Sequence, residues 1–251
     1  MMKKKTIAIS GGLGKIGLSL ALSLSKNFNV LIGDINIKKY KTIKKKLQLN
    51  NIKFYRSNLC LSTDIEKFIN FGVKNFKKID FTIHCCYPKT KDWHKDFEKL
   101  NQKSLNENIV NHLGGSIIYS QKFIKYFLKK GQGKIIHISS IQGLSTPKFE
   151  HYKDLKMNSP IEYSAIKSGI ISITKYLAKF YGGKNIQINC ISPGGIKNNQ
   201  PKMFIKRYKK SCLSKGLLDY EDINPLVKFL LSDGSKFMNG QNIIIDDGWS
   251  L

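Results

Sequence analysis

Short apolar runs rich in Ile recur along the chain, separated by longer stretches in which apolar residues return every three or four positions. The runs Thr6–Ser10, Val30–Asp34, Lys53–Ser57, Phe81–Cys85, Lys134–Ser139, Gln187–Ser192 and Asn242–Asp246 have the length of β-strands. The stretches between them predict helices over Ile16–Lys26, Ile37–Leu49, Thr63–Asn75, Asn101–Lys129, Tyr163–Phe180 and Glu221–Leu231. Ser62 or Thr63 is expected to cap the third helix, with Glu66 completing a capping box from Thr63. Strands and helices that alternate at this spacing pair in parallel through right-handed crossovers, which puts helices on both faces of one sheet. The expectation is an α/β protein of three αβα layers with a mostly seven-stranded parallel sheet, formed as one domain over residues 1–251. Two stretches break the alternation, 144–160 and 197–220. They follow strands on the side where open α/β sheets bind ligands, and are expected to cover the substrate.

Composition changes this picture little. At 41% hydrophobic and 24% charged the chain has the balance of an ordinary globular protein. The formal net charge of +26 raises the question of nucleic acid or membrane. Nearly all of it is Lys, however, with Arg56 and Arg207 the only arginines, and phosphate or base readout favours the planar guanidinium. The lysines read as solvated helix faces, and no nucleic-acid partner is expected. Five cysteines (Cys60, Cys85, Cys86, Cys190 and Cys212) match neither a zinc site nor a disulfide framework, so no metal is expected and a reducing compartment is. The charged start, Met1–Lys5, is followed by an apolar run that ends at Gly11-Gly12, too short for a signal peptide. No stretch approaches the roughly 20 apolar residues of a membrane span. These points predict a cytoplasmic protein with no membrane partner.

Ser10-Gly11-Gly12-Leu13-Gly14-Lys15-Ile16-Gly17 lies between the first strand and the first helix and holds G-x-G-x-x-G at Gly12, Gly14 and Gly17. Glycines there allow a sharp turn and close approach of backbone to a pyrophosphate at a helix N-terminus. Asp34, 17 residues past Gly17 at the end of the second strand, stands where a carboxylate accepts hydrogen bonds from the adenosine ribose. Because it would repel a 2′-phosphate, NAD(H) is favoured over NADP(H), although Lys38 and Lys39 lie nearby. The sheet is therefore expected to be of Rossmann type.

Tyr163 and Lys167 fall at i and i+4 of a helix and share one face. A phenol with an ordinary pKa of about 10 is a poor base at neutral pH. A neighbouring ammonium and an oxidised nicotinamide are expected to lower that pKa. Ser139-Ser140-Ile141-Gln142-Gly143 closes the fifth strand and offers a hydroxyl to hold a substrate oxygen beside the tyrosine.

Taken together, these pieces resemble the short-chain dehydrogenase/reductase family over nearly the whole chain. The glycine turn, Asp34, Ile138-Ser139-Ser140, Tyr163-x-x-x-Lys167, Asn189-Cys190-Ile191-Ser192-Pro193-Gly194-Gly195 and the closing Gly240-Gln241 to Asp246-Asp247-Gly248 carry the likeness. It implies Ser140 as catalytic serine, Tyr163 as acid/base, and Lys167 as the residue that binds the nicotinamide ribose and tunes Tyr163. Ser192, Pro193, Gly194 and Ile196 would flank the nicotinamide, and Asn58, Leu59 and Cys85 would also line the cofactor. Three features depart from the family pattern. Lys15 occupies the usual second-glycine position, His84-Cys85-Cys86-Tyr87-Pro88 replaces the N-A-G stretch, and His112 aligns best with the catalytic asparagine, Asn111 being one position away. Within the family, Cys86-Tyr87-Pro88-x-x-x-Lys91-Asp92-Trp93, Pro147-Lys148-Phe149-Glu150, Asn199-Gln200-Pro201 and Asp246-Asp247-Gly248-Trp249-Ser250 are similar to the flagellin-modification oxidoreductases of legionaminic-acid-type sugar biosynthesis.

The resemblance implies reversible hydride transfer between NAD(H) and a secondary alcohol or ketone on a sugar, sugar phosphate or nucleotide sugar, in a homodimer or homotetramer packed through the fourth and fifth helices. The alternative is a catalytically impaired cofactor-binding scaffold or sensor of the same fold. Trp93 and Trp249 are candidates for flooring a sugar site or for core packing. His151, Tyr152, Asn199 and Gln200 are candidates for reaching substrate or for ordinary loop roles.

Overall fold

The computed structural model describes residues 4–47 and 51–251. Strands β1 (Thr6–Ser10), β2 (Asn29–Asp34), β3 (Ile52–Arg56), β4 (Phe81–His84), β5 (Gly133–Ile138), β6 (Ile186–Pro193) and β7 (Asn242–Ile245) pair in parallel in the order β3-β2-β1-β4-β5-β6-β7. Every residue of β1 is buried, and its alternation splits two cores. Ile7 and Ile9 pack toward helices α1 (Lys15–Leu24) and α8 (Asn224–Leu231), whereas Ala8 packs toward α3 (Ser62–Phe76) and α5 (Gly115–Lys130). Val30 and Ile32 of β2 point to the first core and Leu31 to the second. Each fully buried Ile or Leu contributes roughly 1.5–3 kcal/mol, so the strand runs fix both the layers and the register. A third helix, α6 (Ile161–Phe180), lines up beside α5 and leans on the C-terminal half of the sheet.

The helices depart from the sequence expectation in informative ways. The expected helix over Ile37–Leu49 is α2 (Ile37–Ile43) followed by a 3-10 turn, Lys44–Leu47, and its last residues lie outside the described ones. The one expected over Asn101–Lys129 is α4 (Gln102–Asn108), a π turn at Ile109–Gly114, and α5. Leu61, not Ser62 or Thr63, is the N-cap of α3, and no side chain caps it. The capping box does not form because the helix already starts at Ser62, which leaves Thr63 inside it, and the Glu66 carboxylate pairs with Lys122 at 2.6 Å. The 197–220 stretch holds α7 (Lys202–Lys210), and a 3-10 turn, Tyr220–Ile223, leads into α8.

Successive strands β1, β2 and β3 run one way across the sheet and β4 starts on the other side of β1, so a crevice opens above the C-terminal ends of β1 and β4. Ser10 and His84 end these strands. Ser10 Oγ meets His84 Nδ1 at 2.7 Å and accepts from the Cys85 N–H at 3.2 Å. Behind them, His137 Nε2 bonds Ser120 Oγ at 3.2 Å and the His84 ring lies against Tyr119. Among the described residues no helix is long and apolar enough to cross a membrane.

Candidate active site

The crevice is built from the glycine turn. Gly11 has φ +62°, and a Cβ on it would lie 2.8 Å from the Cys85 carbonyl oxygen, so the turn and the end of β4 touch backbone to backbone. Gly14 is the N-cap of α1, and its N–H donates to the Gly11 carbonyl at 2.9 Å. A Cβ on Gly17 would meet that same carbonyl at 2.4 Å. Gly17→Ala must therefore push the turn out of shape, and is expected to weaken NADH binding at least about tenfold, since close backbone approach to the pyrophosphate is lost. Fluorescence titration checks this; binding at wild-type strength would mean that the turn is not the pyrophosphate cradle.

Asp34 sits across the turn. One carboxylate oxygen accepts from the Leu13 N–H at 3.0 Å and the other from the Asn36 N–H at 2.9 Å, which fixes its plane at the rim. From there a cleft of about 310 Å3 runs past Gly11, Gly14, Asn58, Leu59 and Cys85 to Tyr87. Ser10, Gly12, Leu13 and Gly17 shape the turn from inside and are buried. Ser10 spends its hydroxyl on β4, and the Gly12 N–H donates to the Gly33 carbonyl at 3.2 Å. Lys15 turns outward. Its ammonium bonds Asn198 Oδ1 and lies 5.1 Å from the centre of the Tyr220 ring, linking the turn to both ends of the 197–220 stretch.

At the end of β5, Ser139 Oγ donates to the Lys167 carbonyl at 2.8 Å. A Cβ on Gly143 would lie 2.7 Å from the Lys167 carbonyl carbon, so only glycine lets this turn seat against α6. That seating brings Ser140, Tyr163 and Lys167 together. Ser140 is extended, and its Oγ accepts from the Gln142 N–H at 3.2 Å. The Lys167 ammonium donates to the Ile138 carbonyl at 3.1 Å and lies 3.4 Å from His112 Nε2. The π turn carries His112 into this position, and Asn111 is not part of the contact.

Burial sets the electrostatics. The Tyr163 phenol is pushed up by burial, opposed by its bond to the Ser140 side chain. Removal from water is the largest influence on this phenol in the protein without cofactor, whereas the lowering expected from Lys167 together with an oxidised nicotinamide concerns the cofactor-bound site. Lys167 is itself lowered to about 8 by burial. His112 is held well below its usual value by burial first and the Lys167 charge second. A neutral His112 that accepts from Lys167 at Nε2 carries its proton on Nδ1, an assignment made from the hydrogen-bond pattern. That Nδ1 is buried without a partner.

A second cavity of about 300 Å3 opens over Ser140 and Tyr163. Gln142, Tyr152 and Ser159 come from the 144–160 side of it, Pro193, Gly194 and Ile196 from the end of β6, and Gln200 and Tyr208 from the 197–220 stretch. Among the described residues no Asp, Glu, Lys or Arg lines it. Trp93 is buried in a core cluster, edge-to-face with Tyr163 at 6.2 Å, and both it and Trp249 line this cavity. Trp249 stacks on Tyr208 and has the Lys148 ammonium 4.9 Å from its ring. His151 is locked between Phe204, Tyr208 and Trp249 with Nε2 3.0 Å from Ser211 Oγ, which makes it an anchor of the loop. Gln200 accepts from the Asn198 N–H and donates to the Ile196 carbonyl, and Asn199 stays exposed. Tyr87, which sequence reasoning did not single out as a site residue, borders both the cleft and this cavity. Its only sequence signal was its place in the altered stretch after β4.

A family profile described as Enoyl-(Acyl carrier protein) reductase matches residues 14–250. The chain is 38% identical over its whole length, and the whole length of its relative, to the post-translational flagellin modification protein A of Campylobacter coli. A short chain dehydrogenase from Leptospira borgpetersenii, solved with bound NAD+, superposes with a TM-score of 0.86 at 30% identity, covering 99% of this chain and 94% of that one. A short chain dehydrogenase from Bacillus anthracis gives 0.88 at 27% identity, covering 100% and 98%.

Proposed function

This chain belongs to the short-chain dehydrogenase/reductase family and is an oxidoreductase, and from that premise we propose that it moves hydride between NAD(H) and a secondary alcohol or ketone of a carbohydrate, with Tyr163 as its acid/base. The observation that carries this reading is that Ser140 and Tyr163 line the second cavity together, with the Lys167 ammonium 5.5 Å from the centre of the Tyr163 ring and Tyr87 bordering both this cavity and the cleft.

The cleft fits a dinucleotide. Gly11 leaves room that any Cβ would fill, the α1 N-terminus faces the turn, and the Asp34 carboxylate stands at the far end. When bound, the nicotinamide supplies the carbon that takes or gives hydride. Around it the protein supplies positioning and proton transfer. Ser140 Oγ holds the substrate oxygen. Tyr163 Oη gives that oxygen a proton when a ketone is reduced, and takes it back when an alcohol is oxidised. Lys167 binds the ribose hydroxyls, and His112 Nε2 fixes its ammonium. Burial keeps water from competing at these atoms.

Asp34 makes the preference for NAD(H) testable. Asp34→Ala is expected to weaken NADH roughly tenfold or more, the worth of charge-assisted hydrogen bonds, and to strengthen NADPH by removing a repulsion. Paired titrations read both. Wild-type protein that binds NADPH as tightly as NADH would remove Asp34 from this role.

The neutral, hydroxyl- and amide-rich cavity and the flagellin-modification relative support a sugar as the reacting group. A sugar phosphate or nucleotide sugar would keep its charge outside the cavity wall. Exposed Ile117 and Leu128 on α5, and Tyr176 and Phe180 on α6, support a homodimer or homotetramer packed through these helices. The test of the whole reading is an NADH absorbance assay over neutral sugars, sugar phosphates and nucleotide sugars. Binding of NADH without turnover on any of them would favour the scaffold alternative.

A further inference from the structure

Two departures from the family pattern, Tyr87 after β4 and His112 in the π turn, meet beside Lys167. Their ring centroids are 5.2 Å apart and the rings are nearly perpendicular. The Tyr87 ring is also edge-to-face with Tyr163 at 5.7 Å and with Trp93 at 5.7 Å. The Lys167 ammonium lies 5.7 Å from the centre of the Tyr87 ring and 5.5 Å from that of Tyr163. One ring thus lies against Lys167, His112 and Tyr163 at once.

We propose that Tyr87 is a positioning residue: its π system supports the Lys167 ammonium in its charged form, and its edge wedges His112 and Tyr163 at the spacing that aims it. This rests on the ribose-binding role given to Lys167 above. The physical need is clear from what surrounds the ammonium. The Ile138 carbonyl and the neutral His112 Nε2 are its hydrogen-bond partners. Cys85 and Cys190 are the titratable groups that favour its charge, and both thiols are held protonated by burial. His84 and His137 face it from β4 and β5 and are neutral. Glu162 acts on Tyr87 rather than on Lys167. An ammonium so placed has no carboxylate acting on it, and an aromatic face is the remaining way to stabilise its charge in a desolvated site.

The experiment is NADH binding followed by fluorescence from about pH 6.5 to about pH 9.5, on wild type, Tyr87→Phe, Tyr87→Leu and Tyr87→Met, each with a thermal melt. Wild-type affinity should fall as pH rises past about 8, where Lys167 loses its charge. Tyr87→Phe keeps the ring and should keep the midpoint. The two aliphatic variants should move it down by about one unit, which weakens binding roughly fivefold at pH 8. Aliphatic variants with an unmoved midpoint, whether or not their melting temperature falls, overturn the role of Tyr87. A wild-type profile without the fall near pH 8 overturns instead the ribose role of Lys167, and the proposal with it. Of the two aliphatic variants, either that folds suffices.

Discussion

Tyr163→Phe should lower turnover by roughly two to four orders of magnitude, the usual worth of a positioned acid or base, and leave NADH binding within a factor of about two. Phe keeps the ring that packs on Tyr87, Trp93 and Lys167, so the change removes one oxygen and little else. The direction of the Tyr163 shift adds a pH signature. Its pKa is raised, so across the neutral range the phenol is protonated in the protein without cofactor. A protonated phenol is ready to give its proton to a ketone oxygen but must first lose it to accept one from an alcohol. Ketone reduction should therefore run well at neutral pH, while alcohol oxidation should gain as pH rises. Steady-state rates in both directions over pH decide it. A variant turning over within tenfold of wild type would shift the proton role to Ser140 or His112.

The second large effect is acid lability. His84, His112 and His137 are all held below their usual values, with burial the first cause in each, His137 to about 4. They are neutral in the folded protein and titrate near 6.5 when unfolded. Below that value the unfolded chain binds more protons, so their contribution, present above about pH 6.5, is lost as pH falls toward 4. At pH 5.5 the loss from His137 is about 1.4 kcal/mol, and His84 and His112 act in the same direction. Urea midpoints at neutral and mildly acid pH would show it. His137→Gln, which can still bond Ser120, should flatten the dependence by about 1.4 kcal/mol between pH 7.5 and pH 5.5. An unchanged slope in that variant would exclude His137 as a contributor.

Most of the architecture was readable in advance because a parallel sheet buries both faces of its strands, and such strands print themselves as short apolar runs. Thr6–Ser10 is the plainest case. Ser140, Tyr163 and Lys167 were readable because they sit at fixed steps on one strand end and one helix. What local spacing could not show is competition. Thr63 and Glu66 match a capping box, yet the helix begins one residue before Thr63 and Lys122 takes the Glu66 carboxylate. The i, i+4 rule sees Lys167 beside Tyr163 but not the removal of both from water. Tyr87 reaches the site only because the chain after β4 folds back over α6, and no periodicity in His84–Pro88 announces that. For the two tryptophans the sequence left sugar floor and core packing both open, and the fold gives each a share of both: they are buried, yet line the cavity.

The π turn at Ile109–Gly114 has a last consequence. A π turn holds one residue more than the α turn it replaces, and each residue of an α-helix advances about 100° around the axis. The chain from Gln102 to Lys130 therefore works as two screws cut with different starting angles and joined at a slip. Removing any single residue from the slip would close it into ordinary α-helix, and would turn α4 against α5 by about that angle. Either the packing of Tyr119 and Phe123 or the approach of His112 to Lys167 would then be lost. In this segment the number of residues sets the geometry as firmly as their identity does.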